Sequence, residues 1–287
     1  MNNAHPKQAN QTIGKGFFTA PGRTATGNLV RAVSSTFADV WSQPRLFYNS
    51  LIPVEQQFLI NAIRFETSHL QSEVVKSNVL IQLNRVSNDI ATRVADALGM
   101  TAPAPDPKFY NNNSTKFVTI FGNPLPTIAT LNVAVLASVN SAGSLTQAAS
   151  LATGFAISGV NVAVIGERLA KGINQTYSAA DASVFDGIIV ATGAETLFTN
   201  RSTSTLFPAS RPLQILTDAY RWGKPVGALG SATAAIKAAA ISTTAGVFTG
   251  SDVTQFISDF ESGLKTFKFI DRFALDGNST SARYVRG

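Results

Sequence analysis

The order of apolar and polar positions divides the chain into three textures. Residues 1 to about 40 are polar and rich in Gly, Thr and Asn. GKGFFTAPGRTATGN sustains neither a helical nor a strand period, which predicts an extended arm that needs a partner surface. From Phe37 a helical period sets in. FADVWSQPRLFYNSLIPVEQQFLINAIRFETSH carries Phe58, Leu59, Ala62, Ile63 and Phe65 at near-helical spacing behind Pro53, a residue suited to a first helical turn. Ile52 would then hold the cap position, and its side chain accepts no hydrogen bond, so packing must hold that start. A second stripe, Val79, Leu83, Val86, Ile90, Val94 and Ala97, runs to Leu98 and Gly99, the latter a natural left-handed terminator. Two such helices in succession predict a hairpin that packs as a core or docks onto a larger body.

Three alternating prolines and then an asparagine run, TAPAPDPKFYNNNSTK, have the composition of a stiff and then flexible linker. FVTIFGNPLPT (117–127) reads equally as an edge strand or as an extended continuation. From Leu131 strand and helix alternate. LNVAVLAS, NVAVIGERL, FDGIIVATG and PVGALG are apolar runs of strand length, and GVFTG is a candidate fifth. Between them SLTQAASLATGFAISG, RPLQILTDAYRWG and SATAAIKAAAI are helix-compatible. SDVTQFISDFESGLKTFKFIDRF closes the series, with Val253, Phe256, Ile257, Phe260, Leu264 and Phe267 on one face behind Ser251 or Asp252 as cap. Strands buried on both faces and joined by helices predict an α/β fold, a doubly wound parallel sheet of flavodoxin-like size. The expected divisions are an extended arm (1–45), an α-helical hairpin region (46–100), a linker (101–127), the flavodoxin-like domain (128–275) and a tail (276–287).

Composition narrows the chemistry. The chain's 287 residues, 45% hydrophobic and 14% charged, are enough to bury a core. The absence of cysteine removes disulfides, thiolate nucleophiles and Cys-ligated metals, and two histidines, His5 and His69, leave little for a zinc site or a Ser-His-Asp relay. His69 follows a predicted helix and reads as a surface or capping residue. No apolar run approaches the roughly 18 residues a membrane span requires, and the first segment, MNNAHPKQANQTIGKG, lacks the apolar centre of a signal peptide. The net charge of +6 sits in the ends: Lys7, Lys15, Arg23, Arg31 and Arg45 stand against Asp39 alone in the arm, and Arg283 and Arg286 lie in the last five residues. Residues 131–275 carry ten basic and nine acidic groups. Without aromatic interleaving this pattern predicts no nucleic-acid partner.

The stretch KPVGALGSATAAIKAAA flows from strand through Gly230 and Ser231 into helix, the place where many enzymes keep a nucleophile. Ser231 in that role would need a lysine or a carboxylate such as Asp186 or Glu195 as base, and no GxSxG is present; a helix N-cap is its simpler role. The loop SVNSAGSL has one glycine and no phosphate-binding motif, so a flavin or nucleotide would rest on amides and hydroxyls around Ser138, Ser141, Gly143 and Ser144. N-x-S/T sequons begin at Asn10, Asn112, Asn113, Asn174, Asn200 and Asn278. They lean towards a secreted or cell-wall protein over a cytoplasmic one.

FADVWSQPRLFYNSLIPVEQQFLINAIRFETSH and VVKSNVLIQLNRVSNDIATRVADALG resemble the C-terminal helical region of large-subunit haem catalases of fungi and bacteria. TYSAADASVFDGIIVATG and RPLQILTDAYRWGKPVGALG resemble the flavodoxin-like domain appended to them, so the likeness runs from about Gly16 to the end. The resemblance implies a parent that decomposes hydrogen peroxide on haem, with the haem-binding barrel preceding residue 1 and no cofactor in this portion. RLFYNS lacks the RxFxY context of the proximal haem ligand, so Tyr48 is not carried over. The appended domain is similar to the class I glutamine amidotransferase and PfpI superfamily, whose KPVAAICHG-like turn carries a Cys. The match puts Gly230 at the Cys position and Ser231 at the following His, vestigial places that imply no hydrolase, amidotransferase or glyoxalase activity. The same likeness implies stabilisation of a catalase homotetramer, with the catalase core and neighbouring subunits as partners, and chaperone-like holding of unfolded clients. Phe58 and Phe65 are the candidate client-binding residues, the Phe-rich face of 253–267 reading first as core. A residual enzyme using Ser231 and a flavin- or nucleotide-binding module are the alternatives.

Overall fold

The computed structural model describes residues 31–116, 118–199 and 204–276, with Gly22, Thr24, Thr26 and Gly27. Most of the expected arm, its cations Lys7, Lys15 and Arg23, the tail cations Arg283 and Arg286, and the sequons at Asn10, Asn200 and Asn278 lie outside the described residues. Residues up to Val40 form a separate unit, whose described part holds one 3-10 turn, Ser35–Ala38.

The second unit opens with four helices, where the periodicity predicted two. Helix α1 (Ser42–Ser50) lies partly within the expected arm. Its sequence has no clean apolar stripe, and tertiary partners hold it: Arg45 is buried and donates to the Arg85 carbonyl at 2.6 Å. Helix α2 (Pro53–Ser68) starts at Pro53 as expected, and it is helped by more than packing, because the Glu55 carboxylate accepts from the Ile52 amide at 3.1 Å. The second predicted helix is two, α3 (Glu73–Val86) and α4 (Asn88–Leu98), parted by Ser87 in an extended conformation (φ −160°). Ser87 Oγ caps α4 by accepting from Asp89 N at 3.2 Å. The stripe runs on unbroken because both helices face one core of Tyr48, Ile60, Leu80, Ile90, Val94 and Ala95. Gly99 ends α4 with φ +65°, as the sequence predicted.

The segment expected to be a linker runs against these helices. Asn84 and Asn88 donate to the carbonyls of Ala104 and Pro103 at 2.8 and 3.1 Å, and Asn49 donates to Asn111 O at 2.8 Å. No strand forms among the described residues of 117–127, which decides for the extended continuation. Leu125 N donates there to Lys265 O at 2.7 Å.

The rest is an α/β fold. Strands β1 (Asn132–Leu136), β2 (Asn161–Gly166), β3 (Gln175–Thr176), β4 (Gly187–Val190), β5 (Val226–Leu229) and β6 (Val247–Gly250) make one wholly parallel sheet in the order β3-β2-β1-β4-β5-β6. Without the short edge strand β3 this is the flavodoxin order. Central strands are buried on both faces, as their unbroken apolar runs required. On one face Leu136, Ile188, Val190 and Val226 share a core with Ile215, Leu216 and Ile236 from helices α7 (Arg211–Arg221) and α8 (Thr233–Ala238). On the other, Val133, Val135 and Ile189 meet Leu151 and Phe155 of α5 (Ala142–Ile157) and Phe256, Phe260 and Leu264 of α9 (Val253–Thr266). Asp252 caps α9 at 2.7 Å, and the Phe-rich face of that helix is core. The remaining short helix is α6 (Thr196–Thr199).

Candidate functional site

Parallel strands send their carboxyl ends to one edge, so the turns after β1, β4 and β5 meet there. The turn after β5 keeps the sharp geometry of a nucleophile position. Gly230 has φ +55°, and a Cβ built on it would stand 3.3 Å from Thr192 Oγ1. An L side chain there would be strained by about 1–2 kcal/mol, which glycine avoids. Ser231 does not cap the following helix: the turn runs through a 3-10 segment, Gly230–Ala232, and α8 starts only at Thr233, with Ala232 at its cap position. The Ser231 hydroxyl instead pairs with the Thr192 hydroxyl at 2.6 Å. Among the described residues no imidazole or carboxylate hydrogen-bonds to it. Asp186 lies before β4, at the opposite end of the sheet, where it accepts from the Asn132 amide at 2.8 Å, so it is no base for Ser231. Glu195 follows β4 on the shared edge.

The loop after β1 is filled from within. Glu167, at the end of β2 and 8% exposed, accepts from Ser138 Oγ at 2.6 Å and from Val139 N at 2.8 Å. Ser144 Oγ accepts from Ser138 N at 3.0 Å, and Ser141 Oγ accepts from Ser144 N at 3.2 Å as the cap of α5. Gly143 opens that helix within its first turn. The donors a phosphate would need are thus spent on the chain's own carboxylate and hydroxyls, and the geometry opposes a flavin or nucleotide at Ser138, Ser141, Gly143 and Ser144. Glu167 escaped the sequence reading because it sits at the end of a strand run, 29 positions from Ser138 in the loop it fills.

Neither Tyr48 nor His69 fits haem. Tyr48 is buried in the helical core with its hydroxyl donating to Asp89. Burial, and after it the Asp89 carboxylate, raises its pKa, the reverse of what an iron-bound tyrosinate needs. His69 is exposed at the C-terminus of α2, its Nδ1 2.7 Å from Phe65 O. Among the described residues no cluster of His, Asp and Glu could hold a metal ion, and no helix is long and apolar enough to cross a membrane.

Phe65 is 64% exposed, in edge contact with His69 at 4.8 Å between centroids, whereas Phe58 packs edge-on against Phe273 at 4.8 Å. That second contact belongs to a joint between α/β domain and helices. Asp276 accepts from Arg64 (2.6 Å), Arg93 (2.9 Å) and Gln57 (3.2 Å), and its own amide donates to Gln57 at 2.8 Å. Burial works against the charge, but the two arginines hold the carboxyl below its ordinary range. Of the sequons, Asn112 and Asn113 are exposed, and Asn174 is exposed with its Oδ1 accepting from Val164 N at 2.7 Å.

Residues 129–274 match the family described as the C-terminal domain found in long catalases. The chain belongs to that family. Residues 34–98 match a second one, described as catalase-related immune-responsive. Among individual proteins, Catalase-3 of Neurospora crassa is 57% identical over 97% of this chain and 39% of its own length. Catalase B of Aspergillus fumigatus is 55% identical over 96% and 39%. Catalase HPII of Mycobacterium avium is 26% identical over 75% and 31%. The chain therefore spans about two fifths of the length of the fungal catalases it matches, as the C-terminal portion of such a protein does.

Proposed function

We propose that this long-catalase C-terminal domain and its helices form a non-catalytic module of a haem enzyme that decomposes hydrogen peroxide to water and oxygen. The module stabilises the catalase homotetramer against its core and neighbouring subunits, and it holds partly folded client proteins against aggregation. The observation that carries the non-catalytic reading is the turn after β5. Where an enzyme of the class I glutamine amidotransferase and PfpI type holds a cysteine and then a histidine, this chain has Gly230 and a Ser231 whose hydroxyl, among the described residues, meets only that of Thr192. Without a base the serine stays a weak nucleophile. Ester, amide and glyoxal substrates should accordingly turn over at background rate with the wild type and Ser231→Ala alike. A rate that depends on Ser231 would replace this reading with an enzymatic one.

Support for the holding role lies in the apolar surface of the helices. Phe65 (64% exposed), Val74 (69%), Phe47 (46%) and Ile81 (41%) present large apolar side chains to solvent, surface that an unfolded client can meet. Phe58 contributes the part of its ring that Phe273 leaves open. At equimolar ratio the protein should lower the light scattering of an unrelated client enzyme during heating, and Phe65→Ser should weaken that protection several-fold. Scattering that is unchanged even at an excess of the protein ends the proposal. The sequons exposed at Asn112, Asn113 and Asn174 favour passage through a secretory compartment.

A further inference from the structure

Opposite the nucleophile edge, where the strands begin, an unusual amine stands beside a buried cation. Lys268 follows Phe267, which closes α9 in a left-handed backbone conformation (φ +66°) that large side chains rarely adopt. The chain then crosses the entry to β5, where Phe269 N donates to Gly223 O at 2.7 Å. That bond brings Lys268 alongside Lys224, each one residue removed from it. Lys224 is buried, and its ammonium donates to Phe185 O at 2.5 Å, Ala182 O at 2.6 Å and Ser183 O at 3.4 Å. Its three protons are thus committed to carbonyls, while Asp186 and Asp181 favour its charge without hydrogen-bonding to it.

Lys268 is half-buried, and among the described residues no hydrogen bond or ion pair satisfies its nitrogen. The Phe267 ring lies 5.3 Å from Nζ. The charged groups that act on it are Lys224, which opposes its protonation, and Asp186, which favours it. Burial first and Lys224 second hold the amine down at about 8. A desolvated lysine beside a second cation is the arrangement that frees an amine lone pair near neutral pH.

We propose that Lys268 is a site of covalent carbonyl chemistry, condensing with small uncharged aldehydes. The Nζ lone pair forms a bond to the carbonyl carbon, and an amine proton passes to the carbonyl oxygen. The carbinolamine then loses that oxygen as water and leaves a C=N bond. No oxidant or reductant is consumed. The apolar wall of Phe267 and the neighbouring ammonium favour an uncharged electrophile over a cationic one.

The test uses the intact chain with limiting propionaldehyde and added cyanoborohydride, whose hydride fixes each imine as a secondary amine for peptide mass spectrometry. At pH 7.4 Lys268 should be labelled on the order of tenfold faster than the exposed Lys171 and Lys237. Its rate should rise through pH 8 and level off. Lys224→Met should move the Lys268 profile to higher pH, and Lys268→Arg should abolish the fast label with the circular dichroism unchanged. If Lys224→Met unfolds the chain, the wild-type profile alone decides. Labelling of Lys268 no faster than Lys171 and Lys237, or a profile that follows theirs, overturns the assignment.

Discussion

Arg272→Ala should destabilise the α/β fold by about 2–4 kcal/mol, because three main-chain segments rely on one guanidinium. Arg272 is 6% exposed, and it donates to Lys224 O at 2.8 Å, to Tyr220 O at 3.4 Å and to Ala245 O at 2.6 Å. It therefore joins the end of α7 to the entries of β5 and β6. The guanidinium also lies 4.3 Å over the Tyr220 ring and 5.0 Å over Phe269. Truncation leaves buried carbonyls unsatisfied and removes the stacked plane, and closure of the gap is hindered by Gly246, whose left-handed backbone (φ +81°) already lies against Phe269 and Arg272. Arg272→Lys should rescue little of the loss, since a single ammonium does not reproduce the planar fork. Urea denaturation of the two variants and the wild type measures this. A loss under about 1 kcal/mol for the alanine variant would mean that the carbonyls find other partners.

Arg272 also marks the limit of what the sequence displays. It lies in FKFIDRF, which continues the apolar spacing of α9, yet the helix ends at Thr266 and the chain reverses at Phe267. Phe267 was thus expected on the helical face and instead forms its end. No local signal announces this, because the reversal is held by the Phe269–Gly223 bond and by the arginine, both contacts with the distant segment that leads into β5. Where a feature is set by neighbours in sequence, it was legible: Pro53, Gly99 and Asp252 mark their helix ends, and five apolar runs are β1, β2, β4, β5 and β6. Edge strand β3 went unseen because Gln175 and Thr176 bury little and pair on one side alone. The break at Ser87 was masked by a stripe that serves two helices, and α1 was masked by polar residues whose partners lie forty positions away. At the candidate site the strand, turn and helix order was legible, while the Ser231–Thr192 pair and the Glu167 filling of the β1 loop depend on strand order.

Of the phenylalanines, the buried Phe260 should matter most for stability, and Phe260→Ala should cost about 3–5 kcal/mol. Phe260 is wholly buried, stacked on Phe256 at 5.7 Å and in edge contact with Phe248 at 5.5 Å and Phe155 at 5.9 Å. It also covers Gly187 of β4 so closely that a Cβ there would stand 2.9 Å from its ring. The glycine and the aromatic ring are fitted to each other, and neither α5 nor β6 can move in to fill the space without breaking its own contacts. A cavity must remain, which is why the cost should exceed the transfer energy of the lost ring atoms. Phe65→Ala makes no cavity, since the ring already faces solvent, and it should change stability by less than about 0.5 kcal/mol. The pair therefore divides stability from the proposed client holding: Phe260→Ala should lower the denaturation midpoint yet protect clients normally at temperatures where it stays folded, and Phe65→Ala should do the reverse. If protection instead follows stability across both variants, the exposed helical face is not what clients contact.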